Sequence, residues 1–171
     1  MSMDVKVTLR FKDATAKVKQ ATAAGLFQEA EHIMNLSKRE VPVDMGTLRN
    51  SGFVEMPRGD RSFINRSSHV IEVRMGYGGA ASGYALYLHE GTGPAVGRPA
   101  FFPPIDVIKE WALRVLGATK DEDSRAFLLA RSIGRKGLRP RKYLENPFRA
   151  RAAGLQGRLA AFVQKALAGG R

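Results

Sequence analysis

Cysteine is absent from the 171 residues. That excludes disulfides, thiolate catalysis and Cys-based zinc centres, and it makes intracellular synthesis the default expectation. Histidine is scarce, with His32 in a helical pattern, His69 at the start of a strand and His89 just before Glu90. A metal or acid/base centre needs two or three such groups converging, and no His-Glu-x-x-His or equivalent spacing occurs. Also missing are the Gly-x-Ser-x-Gly elbow of hydrolases, the Gly-Lys-Ser/Thr of a P-loop and the Gly-x-Gly-x-x-Gly of a dinucleotide fold. The Gly-rich GYGGAASG stretch at 76–83 is therefore read as a mobile loop. Asp44, Asp60 and Asp106 share no local spacing that would pair them as acid and base. No catalytic residue, metal ligand or cofactor site is expected, and no reaction.

No apolar run approaches the roughly 20 residues needed to span a bilayer. The opening MSMDVKVTLRF alternates polar and apolar residues instead of placing a basic segment before an apolar one, so no secretory signal is expected. The glycosylation patterns at Asn35 and Asn65 are set aside for the same reason.

Hydrophobic residues make up 44% and charged ones 26%, ordinary values for a folding chain. The length suits one domain, 1–171, with a core in 1–93 and 138–168 and a helical insertion at about 94–137. The net charge of +12 is unevenly spread. From Ser124 onward twelve Lys or Arg face the single acid Glu145, which leaves only +1 for the first 123 residues. Arg131, Arg135, Lys136, Arg139, Arg141 and Lys142 fall within a dozen residues. Such a cluster attracts DNA phosphates or an acidic protein surface, or else is a solvated basic face. No helix-turn-helix, zinc-finger or RNA-recognition pattern accompanies it, so sequence-specific recognition is not expected.

Periodicity supplies the elements. Val5, Val7, Leu9 and Phe11 alternate with polar residues, the pattern of a strand buried on one face. From about Asp13 to Arg39, Val18, Ala21, Gly25, Ala30, Ile33 and Met34 recur at helical steps, and Pro42 ends that helix near Glu40. Residues 52–57 and 68–77 read as two antiparallel strands. Tyr84, Leu88 and Tyr87 are expected on one side of a short helical turn in 84–93. After Pro103-Pro104, Ile105, Ile108, Ala112 and Val115 form a stripe joined by Trp111. Thr119 and Glu122 have capping-box spacing ahead of a helix that stops at Gly134 or Gly137. A last helix is expected from about Phe148 to Ala168, carrying Phe148, Ala152, Leu155, Leu159, Phe162 and Ala166. The fold class expected is α+β, a small antiparallel sheet packed on a long N-terminal helix, with extra helices in the C-terminal half.

The stretch VPVDMGTLRNS, 41–51, carries more than turn chemistry. Pro42 stops the helix, Asp44 can cap the amides of the turn, Gly46 permits a positive φ, Leu48 returns the chain to the core, and Arg49 and Asn50 are left for a neighbour. Two further stretches stand out, YALYLHEGT at 84–92 and GLRPRKYLENPF at 137–148. Together, in this order, the three resemble a family of tailed-bacteriophage minor proteins called tail-completion, neck or head-tail joining proteins. The family's segments read Val-Pro-Val-Asp-Thr-Gly-x-Leu-Arg-x-Ser, Tyr-Ala-x-x-x-Glu-x-Gly-Thr and Gly-Ile-x-Pro-Arg-Pro-Phe-Leu. Met45 stands where the family has Thr, and Lys142-Tyr143 where it has Pro-Phe. The likeness covers most of the chain, with the helices of 103–136 resembling a variant insertion.

The resemblance implies a structural virion protein that completes the tail end and joins it to the head connector. It would be made and assembled in the bacterial cytoplasm and located in the virion neck. Its implied partners are copies of itself in a ring, six being the expected number, the adjoining connector and tail proteins, and packaged double-stranded DNA by non-specific contact. No membrane and no cofactor are implied. A ring needs two different patches per subunit. The expected patches are Pro42, Asp44, Gly46, Leu48, Arg49 and Asn50 in the first segment and Tyr84, Glu90, Gly91 and Thr92 in the second, with the Glu90 carboxylate pairing an Arg across a subunit contact. A free nucleic-acid-binding protein using the basic C-terminal part is the alternative.

Overall fold

The computed structural model describes residues 3–10, 15–42, 46–56, 70–79, 82–117 and 121–168. Among these the chain is α+β, as expected, with a three-stranded antiparallel sheet and helices. It parts into two compact units, one from Val41–Ser51 and Gly79–Lys142, the other from Ser2–Glu40, Gly52–Gly78 and Tyr143–Arg171. The expected insertion at about 94–137 lies wholly inside the former. No helix among the described residues is long and apolar enough to cross a membrane.

The sheet belongs to the second unit. β1 (Met3–Arg10) pairs along its whole length with β3 (Val70–Tyr77), and the short β2 (Gly52–Glu55) adds to the other edge of β3, giving the order β1-β3-β2. Because side chains alternate across a strand, Ile71, Val73, Met75 and Tyr77 share one face of β3 and are all buried. Opposite them in register stand Leu9, Val7, Val5 and Met3. The other face is ionic, with Lys6 reaching Glu72 at 2.7 Å and Arg74 reaching Asp4 at 2.5 Å and Glu55 at 3.5 Å.

The 25-residue α1 (Ala16–Glu40) covers the apolar face. Leu26, Ala30 and Ile33 line one apolar space with Val7, Val73 and Met75, closed by Phe148 and Leu155 from the C-terminal helices. α1 stops at Glu40, where Pro42 requires. Its last turns hold Ser37, fully buried, whose hydroxyl lies 2.8 Å from the Tyr77 hydroxyl. The Tyr143 ring stands edge-on to Tyr77, centroids 5.2 Å apart.

Several sequence readings are corrected. The last helix is two: α6 (Glu145–Ala152) and α7 (Leu155–Ala168), broken where Ala153 is extended and Gly154 takes φ 73. A continuous helix would set Arg151 and Arg158 about 10.5 Å apart along the axis. Across the break both meet Glu29 of α1, Arg151 at 2.8 Å to each carboxylate oxygen and Arg158 at 3.1 Å. Arg158 also donates to the carbonyls of Ala153 and Arg151 that the break releases. The Gly-rich 76–83 stretch is not all loop, since Gly76 and Tyr77 end β3 and Ser82 and Gly83 open α3 (Ser82–Glu90).

In the first unit, α2 (Thr47–Asn50) is a single turn. A 3-10 turn (Gly93–Val96) follows α3, and α4 (Ile105–Leu116) and α5 (Glu122–Lys136) pack on each other. Pro104 opens α4 as expected. Of its predicted stripe only Ala112 is buried, Ile108 and Trp111 are half-buried, and Ile105 and Val115 are exposed. Asp121 is the residue before α5 and Glu122 its first residue, while Thr119 of the expected capping box lies outside the described residues. α5 ends at Gly137, one of the two stops expected, where φ is 74.

Candidate partner-binding site

The three sequence segments belong to the first unit, the third up to Lys142. In the first, Val41 is buried and Pro42 half-buried; Val43, Asp44 and Met45 lie outside the described residues, and with them the capping role expected of Asp44. Gly46 takes φ 78, as its place demanded, and its carbonyl accepts the Asn50 N–H at 2.8 Å. Leu48 is 3% exposed, while Arg49 and Asn50, on the same short turn, are exposed. Ser51 closes the turn by donating its hydroxyl to the Leu48 carbonyl at 2.8 Å.

The second and third segments are built as one piece. Thr92 N–H donates to the Leu138 carbonyl at 2.9 Å and Leu138 N–H returns to the Thr92 carbonyl at 3.2 Å and to its Oγ1 at 3.1 Å. Arg141 N–H and Lys142 N–H donate to the carbonyls of Leu88 and His89 at the end of α3. Between them Gly91 takes φ 77, and a Cβ there would stand 2.5 Å from the Leu138 carbonyl oxygen. The approach of the two strands of chain therefore requires glycine twice over, by conformation and by space.

Glu90 has a partner within its own chain. Its carboxylate accepts from Lys142 Nζ of the same chain at 2.7 Å, both side chains about one third exposed. His89 Nε2 lies 3.6 Å from the other Glu90 oxygen and is buried. Sequence reading missed this pairing because 52 residues separate the two groups, and it placed Lys142 among cations facing a polyanion. Lys142 also holds φ 50, a left-handed value uncommon outside glycine. α3 turns its small and polar side inward: Ala85 and His89 are buried and Leu88 half-buried, whereas Tyr84 and Tyr87 are 40% and 55% exposed. Tyr84 and Tyr87 are thus two amphipathic rings on the surface, of the kind that suits partner contact. Arg131, Arg135 and Lys136 of α5 and Arg139 and Arg141 after it are all exposed.

In the first unit Arg49, Asn50, Tyr84 and Tyr87 are exposed, as is the run of cations from Arg131 to Arg141. Compared with protein-family models, curated proteins and solved structures, the chain gives no match.

Proposed function

We propose that the chain is a non-catalytic structural protein of a tailed bacteriophage, which closes the end of the tail and joins it to the head connector in the virion neck. The observation that carries the reading is the three sequence segments in their order, the second and third of which are hydrogen-bonded into one piece while the first displays Arg49 and Asn50. Segments far apart in sequence that meet on rigid turns are suited to present a fixed surface to a neighbour. One departure has a structural correlate. Lys142 stands at the family's proline, yet here it donates its N–H to His89 at φ 50, and proline has neither that φ nor an N–H. The third segment of this chain is thus held by its own means.

In this reading copies of the chain form a ring through head-to-tail contacts, and the exposed cations give DNA weak, non-specific phosphate contacts. The test is the mass of the purified chain, alone and with purified tails lacking it, by light scattering coupled to sizing. A discrete ring or a tail-bound complex, lost in Arg49→Glu with the fold intact by circular dichroism, supports the proposal. A chain that stays monomeric and ignores tails overturns it.

The exposure of Arg131, Arg135, Lys136, Arg139 and Arg141 favours a second reading, a free nucleic-acid-binding protein. Retention on duplex DNA by a chain indifferent to tails, released steeply by salt, would select it.

A further inference from the structure

α5 has two unlike faces. Ala126, Ala130 and Gly134 recur every fourth residue and are buried, which leaves Ser124, Phe127, Leu128, Arg131 and Arg135, at three- and four-residue steps, exposed on the opposite side. Phe127 and Leu128 are 50% and 60% exposed and sit at the middle of the helix. Val115 and Leu116 at the end of α4 are exposed as well. Single exposed apolar side chains are ordinary, but adjacent ones on a helix face mark a contact surface.

The charges around that face say what covers it. Of the acids at the start of α5, Asp123 is held by Lys109 of α4 at 2.7 Å, which leaves the exposed Asp121 at that end and the exposed Arg131 and Arg135 in the last two turns. Turned end for end about Phe127 and Leu128, the helix sets Asp121 against Arg135 at each end and the apolar pair against itself. Antiparallel alignment also opposes the helix dipoles favourably. We infer that α5 is a self-association surface on which a second copy of the chain docks antiparallel, about a two-fold axis near Phe127 and Leu128, with Asp121 of each copy beside Arg135 of the other. An isologous contact needs only this one self-complementary patch. Chains of net charge +12 repel at long range, but at about 0.15 M salt that field decays within roughly 8 Å and the short-range contact decides. The inference does not depend on the phage reading, whose ring contacts are head-to-tail.

The test is light scattering with sizing on the full chain at about 0.15 M salt. The expected mass is twice the 18.7 kDa of one chain. Leu128→Glu, at a surface position that leaves the fold intact, should give the monomer. Asp121→Arg and Arg135→Asp should each weaken the dimer by about tenfold, and the two together in one chain should restore it, because the swapped charges again face each other. A monomeric parent chain overturns the inference. So does a failure of the double variant to recover. A larger assembly untouched by Leu128→Glu also removes this contact, and leaves the ring reading standing.

Discussion

Thr92 and Leu138, 46 residues apart, exchange backbone hydrogen bonds at 2.9 and 3.2 Å, and Gly91 lies in the gap that this exchange leaves. Glycine at 91 is required by φ and by space, whereas Gly46 is required by φ alone, since a Cβ there meets only the Asn50 side chain at 3.4 Å. Gly91→Ala should therefore cost about 3 kcal/mol or more, and Gly46→Ala about 1 kcal/mol, the strain of a left-handed alanine. Thermal unfolding should separate them, with a Tm loss of roughly 6 °C or more against about 2–4 °C. Equal losses would mean that the two segments are not locked together in solution.

Tyr77 is fully buried, and burial pushes its phenol up to about 12; the Ser37 hydroxyl at 2.8 Å works against that rise and Glu40 adds to it. An unfolded tyrosine ionises near 10, so above that pH the unfolded chain sheds a proton that the folded chain keeps. The stability this group contributes is fully present below about pH 10 and is lost as pH rises towards 12. Tyr77→Phe should cost about 1 kcal/mol at neutral pH, the worth of one hydrogen bond. Its Tm should then fall less steeply than that of the parent chain between pH 10 and 12.

Glu29 carries the junction of α1 with α6 and α7. Burial pushes its carboxyl up, but the hydrogen bonds and charges of Arg151 and Arg158 outweigh that and hold it below the ordinary range. A depressed carboxyl contributes stability that is present above the unfolded value of about 4.3 and lost as pH falls below it. Glu29→Gln should destabilise by about 1–3 kcal/mol at pH 7, as expected for charged hydrogen bonds that are only partly buried. The gap between variant and parent should close below about pH 4. A gap independent of pH would assign the loss to packing.

Local pattern was legible in the sequence, and long-range pairing was not. The alternation of Val5, Val7 and Leu9 and the stop at Pro42 follow from steric rules that act over a few residues, and β1 and α1 lie where those rules put them. The positive φ of Gly46 was legible for the same reason. The break at Gly154 was hidden, because Phe148, Leu155 and Leu159 keep helical spacing through it and what fixes it is Glu29, well over a hundred residues earlier. The exchange of Thr92 with Leu138 and the capture of Lys142 by Glu90 leave no local trace either. The stripe of α4 was legible, but that Ile105 and Val115 in it are exposed was not, because a helical stripe records amphipathicity and not which neighbour covers it.

Lys136, Arg139 and Arg141 are exposed and lie off the α5 face that carries Phe127 and Leu128. Lys142 differs, since Glu90 already neutralises it. Duplex DNA should accordingly be held weakly at about 50 mM salt and released by about 200 mM, with no preference among sequences. Replacing Lys136, Arg139 and Arg141 together by Ala should flatten the plot of log affinity against log salt by up to about 2.7, or 0.9 for each phosphate contact removed. Lys142→Ala should leave that slope unchanged while lowering Tm through the loss of its ion pair. Fluorescence anisotropy on one labelled duplex at several salt concentrations measures both. An unaltered slope in the triple variant would take these cations off the nucleic acid and turn the basic face towards an acidic protein neighbour.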